Sequence, residues 1–157
     1  MAPVMSESTQ ILVLPDTFEV SAEPLLLIAD LTDALAVCLH DESRRVGGLL
    51  HLRFVKGNGQ DADVTDNTLS QILVVLDRFK RAVLGHNSKP NEVQARILAH
   101  ALPLGVEHEP TASLVDLIQA DFADGKTLCG TQVLRRVEPV RVCFQPFAGR
   151  VRIVRQL

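Results

Sequence analysis

Leu35-Ala36-Val37-Cys38-Leu39 and, beyond a charged stretch over 40–45, Val46-Gly47-Gly48-Leu49-Leu50-His51-Leu52 are the residues whose reading decides the fold. Both runs are short and apolar, and turn-forming or charged residues bound them, so residues 34–39 and 46–54 read as strands joined by a turn. Working back toward the start, residues 25–29 form a compact apolar run of the kind buried on both faces. The polar segment 30–33 separates that run from the strand beginning at Ala34. Residues 11–14 and 17–21 read as strands on either side of a Pro15-Asp16 turn. So many short strands predict a sheet built from meandering hairpins, with residues 1–9 a loose polar end.

Working forward, residues 56–66 are rich in Gly, Asn and Asp and read as a loop. Thr68-Leu69-Ser70-Gln71 has the pattern of a capping box, in which a hydroxyl and a side-chain amide satisfy orphan backbone donors at a helix start. Leu69, Ile72, Leu73, Leu76, Phe79 and Val83 follow at helical spacing, and Gly85 is a natural stop. Val93, Ala95 and Ile97 alternate with Gln94 and Arg96, which predicts a strand over 92–98. A second helix starts near Thr111, presents Leu114, Leu117, Ile118 and Phe122, and stops at Gly125. Leu128-Cys129-Gly130 reads as a turn. Val140, Val142 and Phe144 alternate with Arg141, Cys143 and Gln145, a turn covers 146–149, and Val151 and Ile153 complete a closing hairpin. No repeat or linker divides the chain, so residues 1–157 read as one domain.

The composition narrows the function. A net charge of -3 argues against a general nucleic-acid binder, and the absence of Trp and Tyr leaves only six Phe on which bases could stack. Cys38, Cys129 and Cys143 are odd in number and widely spaced, which is neither a disulfide framework nor a zinc-ligand set. No metal or organic cofactor is expected. The first ten residues lack the basic and apolar regions of a signal peptide, and no apolar run reaches the roughly 18 residues of a membrane helix. The expectation is a soluble cytoplasmic protein without membrane insertion.

Three segments together resemble the chemoreceptor glutamine deamidase (CheD) family. They are Val13-Leu14-Pro15-Asp16-Thr17-Phe18-Glu19-Val20, the pair of runs from Leu35 to His51 quoted above, and the closing hairpin from Val140 to Ile153. The middle segment is the most specific: in the family it reads as a glycine-serine-cysteine turn, a V-A-V-C-L-x-D strand and a G-G-x-x-H strand. The resemblance implies a cysteine nucleophile, a histidine and a threonine. The chemistry accounts for those types, since a thiolate attacks the amide carbonyl while the histidine lowers the thiol's pKa and protonates departing ammonia.

The carry-over is selective. The family histidine falls on His51, which is present. The family cysteine, four residues before Cys38, falls on Ala34, and the family threonine falls on Ile28. The glycine-serine turn becomes Thr32-Asp33, and a family F-G-G-A stretch reads Leu98-Ala99-His100-Ala101. The departures gather at the reacting positions while the strands around them survive. Thr32 and Asp33 are weak substitutes, because a hydroxyl needs an oriented base and an oxyanion hole, and these residues cap turns readily. Cys38 lies about 13 Å along the strand from Ala34 at roughly 3.3 Å per residue, which argues against its replacing the lost thiol. Arg135, Arg136, Arg141, Arg150, Arg152 and Arg155 make the last part of the chain basic, either as a solvated face or as a surface for an acidic partner.

The expected fold is α+β: a single-domain layered sandwich with a mixed sheet of short strands and two main helices, of the type the CheD family shares with cytotoxic necrotizing factor toxins. The resemblance implies a catalytically silent CheD-like protein that acts by binding in chemotaxis or a related signalling system. Its implied partners are a chemoreceptor cytoplasmic domain or a CheC-like phosphatase. The alternatives are an active glutamine deamidase with rearranged residues and a CheD-derived binding domain with an unrelated partner.

Overall fold

The computed structural model describes residues 9–53, 66–86, 88–103 and 110–155. The expected loose end before Thr9 and the expected loop before Asp66 lie outside the described residues. The described chain forms two packed sheets with helices on one side. The smaller sheet has the order β1(Gln10–Leu12), β3(Leu26–Leu31), β8(Val140–Gln145), β9(Arg150–Arg155). The larger has the order β2(Thr17–Ser21), β5(Val46–Arg53), β4(Ala34–Asp41), β6(Val93–Ala101), β7(Leu128–Arg135). The helices are α1(Asp66–Val83) and α2(Pro110–Asp124). Both sheets are mixed: β1 runs parallel to β3 and β6 parallel to β7, while the other neighbours are antiparallel. This is the α+β layered sandwich expected, with the strands shared between two sheets.

Strand β4 is the centre of the molecule, and all eight of its residues are buried. Its period of two sends Leu35, Val37 and Leu39 toward α1 and α2, where they meet Leu76, Phe79, Ile118 and Phe122. The alternate residues Ala34, Ala36 and Cys38 face the smaller sheet, against Leu27, Leu31, Val142 and Phe144. Small side chains on that face let the sheets approach closely. On α1, Ile72, Leu76, Phe79 and Val83 are buried as the spacing predicts, whereas Leu73 sits at the edge of the stripe and is 38% exposed. The helix begins at Asp66, a half-turn before the expected start at Thr68, and the side chains of Thr68 and Leu69 lie outside the described residues.

The Gly47-Gly48 pair is explained by packing on opposite faces of β5. A Cβ at Gly47 would stand 2.7 Å from the Pro146 carbonyl oxygen, in the turn between β8 and β9. A Cβ at Gly48 would stand 2.7 Å from the Phe79 ring and 2.9 Å from Val20 and Val83. One glycine admits the hairpin of the smaller sheet and the other admits α1, so the motif that carries the resemblance is itself a packing device.

Several boundaries differ from expectation. Half of the polar segment 30–33 is strand, because β3 runs on to Leu31 and only Thr32-Asp33 turns. His40 and Asp41 belong to β4, so the turn before β5 is shorter than its charges suggest. Leu128-Cys129-Gly130 opens β7 rather than a turn. That strand is an exposed sheet edge, and α2 connects it to β6 as a parallel crossover.

Candidate functional site

The end of β4 that begins with Ala34 brings together two of the positions singled out from sequence, Ala34 and His51. Three histidines line the face of the larger sheet that looks onto the smaller one: His51 on β5, His100 on β6 and His40 at the far end of β4. Each touches a backbone group of a segment that leads toward the smaller sheet. His51 Nδ1 lies 2.9 Å from the Val13 carbonyl oxygen, between β1 and β2. The Asp33 amide donates to His100 Nδ1 at 2.9 Å, in the turn between β3 and β4. His40 Nε2 lies 3.2 Å from the Phe147 carbonyl oxygen, in the turn between β8 and β9.

These contacts fix the neutral tautomers by elimination, since a carbonyl oxygen only accepts and an amide only donates. His51 carries its proton on Nδ1, which leaves the Nε2 lone pair as the basic one. His100 accepts through Nδ1 and so carries its proton on Nε2. That Nε2 is buried and has no hydrogen-bond partner among the described residues.

The orientation of His51 has its own support. Val13 is buried, and its amide donates to the Ile28 carbonyl at 2.7 Å, which extends the pairing of β1 with β3. The chain then turns through Asp16, whose φ of 63° is left-handed and whose amide donates to the His51 carbonyl at 2.6 Å. The Arg53 side chain grips the Asp16 carboxylate through Nε at 3.0 Å and Nη2 at 2.6 Å. The Pro15-Asp16 turn is thus clamped to β5, and the Val13 carbonyl is held over the imidazole.

Register decides what stands beside that imidazole. His51 lies opposite Ala36, so Ala34 and Cys38 are both one diagonal step away along β4. The distance along the strand therefore does not separate Cys38 from His51, contrary to the argument from sequence alone. Chemistry separates them instead. Cys38 is 2% exposed, and burial pushes its thiol up to about 12, with Arg96 opposing that shift only in part. No hydrogen bond joins Cys38 to His51 among the described residues. On the other diagonal stands Ala34, buried, with only a methyl group to offer.

The remaining positions fall elsewhere. Ile28 points away from His51, into a small cluster with Leu26 and Cys143 on the outer face of the smaller sheet. Thr32 is exposed at the turn, and Asp33, with φ 51°, engages His100 rather than His51. Ala34 and His51 are brought together; Ile28, Thr32 and Asp33 are not. Val13 and His100 were missed as site residues from sequence. A backbone carbonyl leaves no mark in a sequence, but the alternation of Val93, Ala95 and Ile97 could have placed His100 in phase with Leu98, on the same face as His51.

The chain is 23% identical over 144 residues, 91% of its length, to the protein named "Probable chemoreceptor glutamine deamidase CheD 1" of Albidiferax ferrireducens. It spans 60% of the length of that relative. No protein-family model matches the chain. Among solved structures, the Neisseria meningitidis protein NMB0706 superposes with a TM-score of 0.49 at 15% identity, over 82% of this chain and 62% of that one. The Bacillus licheniformis hypothetical protein YfiH gives 0.48 at 13% identity, over 75% and 51%. The C-terminal domain of CNFy from Yersinia pseudotuberculosis gives 0.40 at 7% identity, over 92% and 54%. The chain is therefore similar across most of its length to a CheD protein, and the likeness is distant.

Proposed function

We propose that this chain is a catalytically silent relative of the chemoreceptor glutamine deamidases, acting by protein binding in a chemotaxis or related signalling system of the cytoplasm. The observation that carries this reading is the pairing of a well-held imidazole with Ala34. His51 keeps a carbonyl partner and a basic Nε2, yet the side chain at the nucleophile position has no atom that could attack an amide. Cys38, on the other diagonal, supports the same reading, because a thiol pushed up to about 12 supplies almost no thiolate at neutral pH. The family's partners, a receptor cytoplasmic domain or a CheC-like phosphatase, are the ones to test.

Purified protein would be incubated with receptor cytoplasmic fragments, and both ammonia release and the mass gain of amide-to-acid conversion followed. The expected result is no turnover, with fragments or a CheC-like protein retained in a pull-down. Turnover that vanishes in His51→Ala would replace this reading with that of an active deamidase. Absence of both turnover and retention would leave a binding domain for an unrelated partner.

A further inference from the structure

The outer face of the smaller sheet lies far from His51 and has a different character. The strand period places Leu26 and Ile28 of β3, Arg141, Cys143 and Gln145 of β8, and Arg150 and Arg152 of β9 on that face. Leu26, Ile28 and Cys143 are buried there, at 7%, 5% and 7% exposure, and form an apolar floor. Above it opens a cavity of about 330 Å³ lined by Leu26, Cys143, Gln145, Arg150, Val151 and Arg152. Arg141 is already neutralised, since its guanidinium holds Asp30 in a two-pronged pair at 2.7 and 3.0 Å. Arg150 and Arg152 are exposed, and no carboxylate pairs with either among the described residues. Arg152 reaches only the Cys143 thiol, so among the described residues two guanidiniums without a carboxylate partner stand over an apolar floor in a chain whose net charge is -3.

Strand β9 is also a sheet edge. It pairs with β8 on one side, and among the described residues no strand pairs with its other side. An edge strand offers a row of backbone donors and acceptors to an added strand. From these observations we infer that β9 and the adjoining cavity form a docking site for an extended acidic segment of another protein, one carrying carboxylates at alternate positions. Alternation is the spacing required, because residues two apart on a strand share a face, as Arg150 and Arg152 do. Each guanidinium presents a fork of donors suited to a carboxylate, and the segment's intervening side chains turn to the opposite face of the sheet, beside Val151 and Ile153. A second copy of this chain is the wrong occupant, since β9 against β9 would set arginines opposite arginines. The site is independent of any chemistry at His51.

Fluorescence anisotropy with a labelled peptide alternating Glu and Val tests the inference on the full chain. The expected result is saturable binding that weakens with salt and falls by about tenfold in the double variant R150Q/R152Q. It should be unchanged in R81Q, which alters an exposed arginine on α1. Backbone amides on the free side of β9 should gain protection from hydrogen exchange when the peptide binds. Both variants alter exposed side chains, and an unchanged melting transition verifies their folding. Equal binding of the peptide with Gln in place of Glu would overturn the inference, as would unchanged binding by the double variant. Displacement by glutarate at the peptide's own affinity would reassign the cavity to small anions. Concentration-dependent self-association that Arg150 and Arg152 control would reassign β9 to a dimer.

Discussion

The two ends of β4 hold buried polar groups in opposite states of satisfaction. At the far end, Asp41 is fully buried and both of its carboxylate oxygens accept hydrogen bonds. Its carboxylate accepts from Ser43 Oγ at 3.0 Å, from the Arg44 amide at 3.4 Å and from Ser88 Oγ in a short contact. Arg44 in turn caps the end of α1 by donating to the Val83 carbonyl at 2.7 Å. At the near end, His100 keeps a buried N–H with no acceptor among the described residues, and Ala34 stands beside His51 with nothing to donate. One end is a closed knot joining a hairpin, a helix terminus and the turn over Pro90–Glu92; the other, among the described residues, leaves a buried N–H without a partner. The difference separates two kinds of buried polar group: the cluster that ties the scaffold together is satisfied, and the unsatisfied group sits opposite Ala34 in the register of β4 and β6.

Removing the carboxylate at the closed end should have the largest effect. Asp41→Ala is expected to cost about 3 kcal/mol in denaturant unfolding, because it orphans several buried donors at once. Asp41→Asn would expose the pH dependence. Burial raises the Asp41 pKa, but the Ser88 and Ser43 hydroxyls, the Arg44 amide and its guanidinium more than offset that and hold it below the usual carboxylate range. A lowered folded-state pKa means stability that is present above the unfolded value near ~3.9 and is lost as pH falls through the folded value. The wild type should lose that increment in acid, and the Asn variant should lack the corresponding slope.

Overpacking ranks next. Gly48→Ala forces a methyl group against Phe79, Val20 and Val83, and should cost about 1–3 kcal/mol in the same assay. At the open end, His100→Leu removes an unsatisfied N–H while orphaning the Asp33 amide, so the two penalties oppose and the net change should stay within about 1 kcal/mol. A loss as large as that of Asp41→Ala would break the comparison, by revealing the near end as equally well satisfied. The smallest effect on stability belongs to Arg53→Gln, below about 1 kcal/mol, since its pair with Asp16 is exposed.

Thiol labelling sharpens the chemical half of the contrast. Cys129, half-buried and pushed up to about 11, should react slowly in the native protein. Cys38, pushed up to about 12, should react only on unfolding. Native-state alkylation of Cys38 that His51→Ala slows would return a working nucleophile to the site.

The sequence is legible where one period dominates. Strand β4, the pair Gly47-Gly48, the apolar stripe of α1 and the β8–β9 hairpin all follow from alternation or helical spacing. Strand β7 escapes because it is an edge: Gly130, Thr131 and Gln132 face solvent, so burial never imposes an apolar alternation on them. At the site, Ala34 and His51 could be placed by resemblance, and register then joined them. The carbonyl of Val13 could not be foreseen, because backbone partners carry no side-chain signature. Distance along one strand is a poor guide to the neighbours of Cys38. Contacts in a sheet are set across strands, where a diagonal step is far shorter.

The pairing of β3 with β8 carries a consequence for how the chain comes into being. Leu27 must wait for Phe144, more than a hundred positions later, before the smaller sheet exists. During synthesis the Ala34–Cys38 face of the central strand therefore stays uncovered until residues 140–155 have left the ribosome, a long-range closure of the kind that slows folding. A nascent chain halted before Val140 would present that greasy surface to chaperones, and release of the last two strands would be the event that hides it.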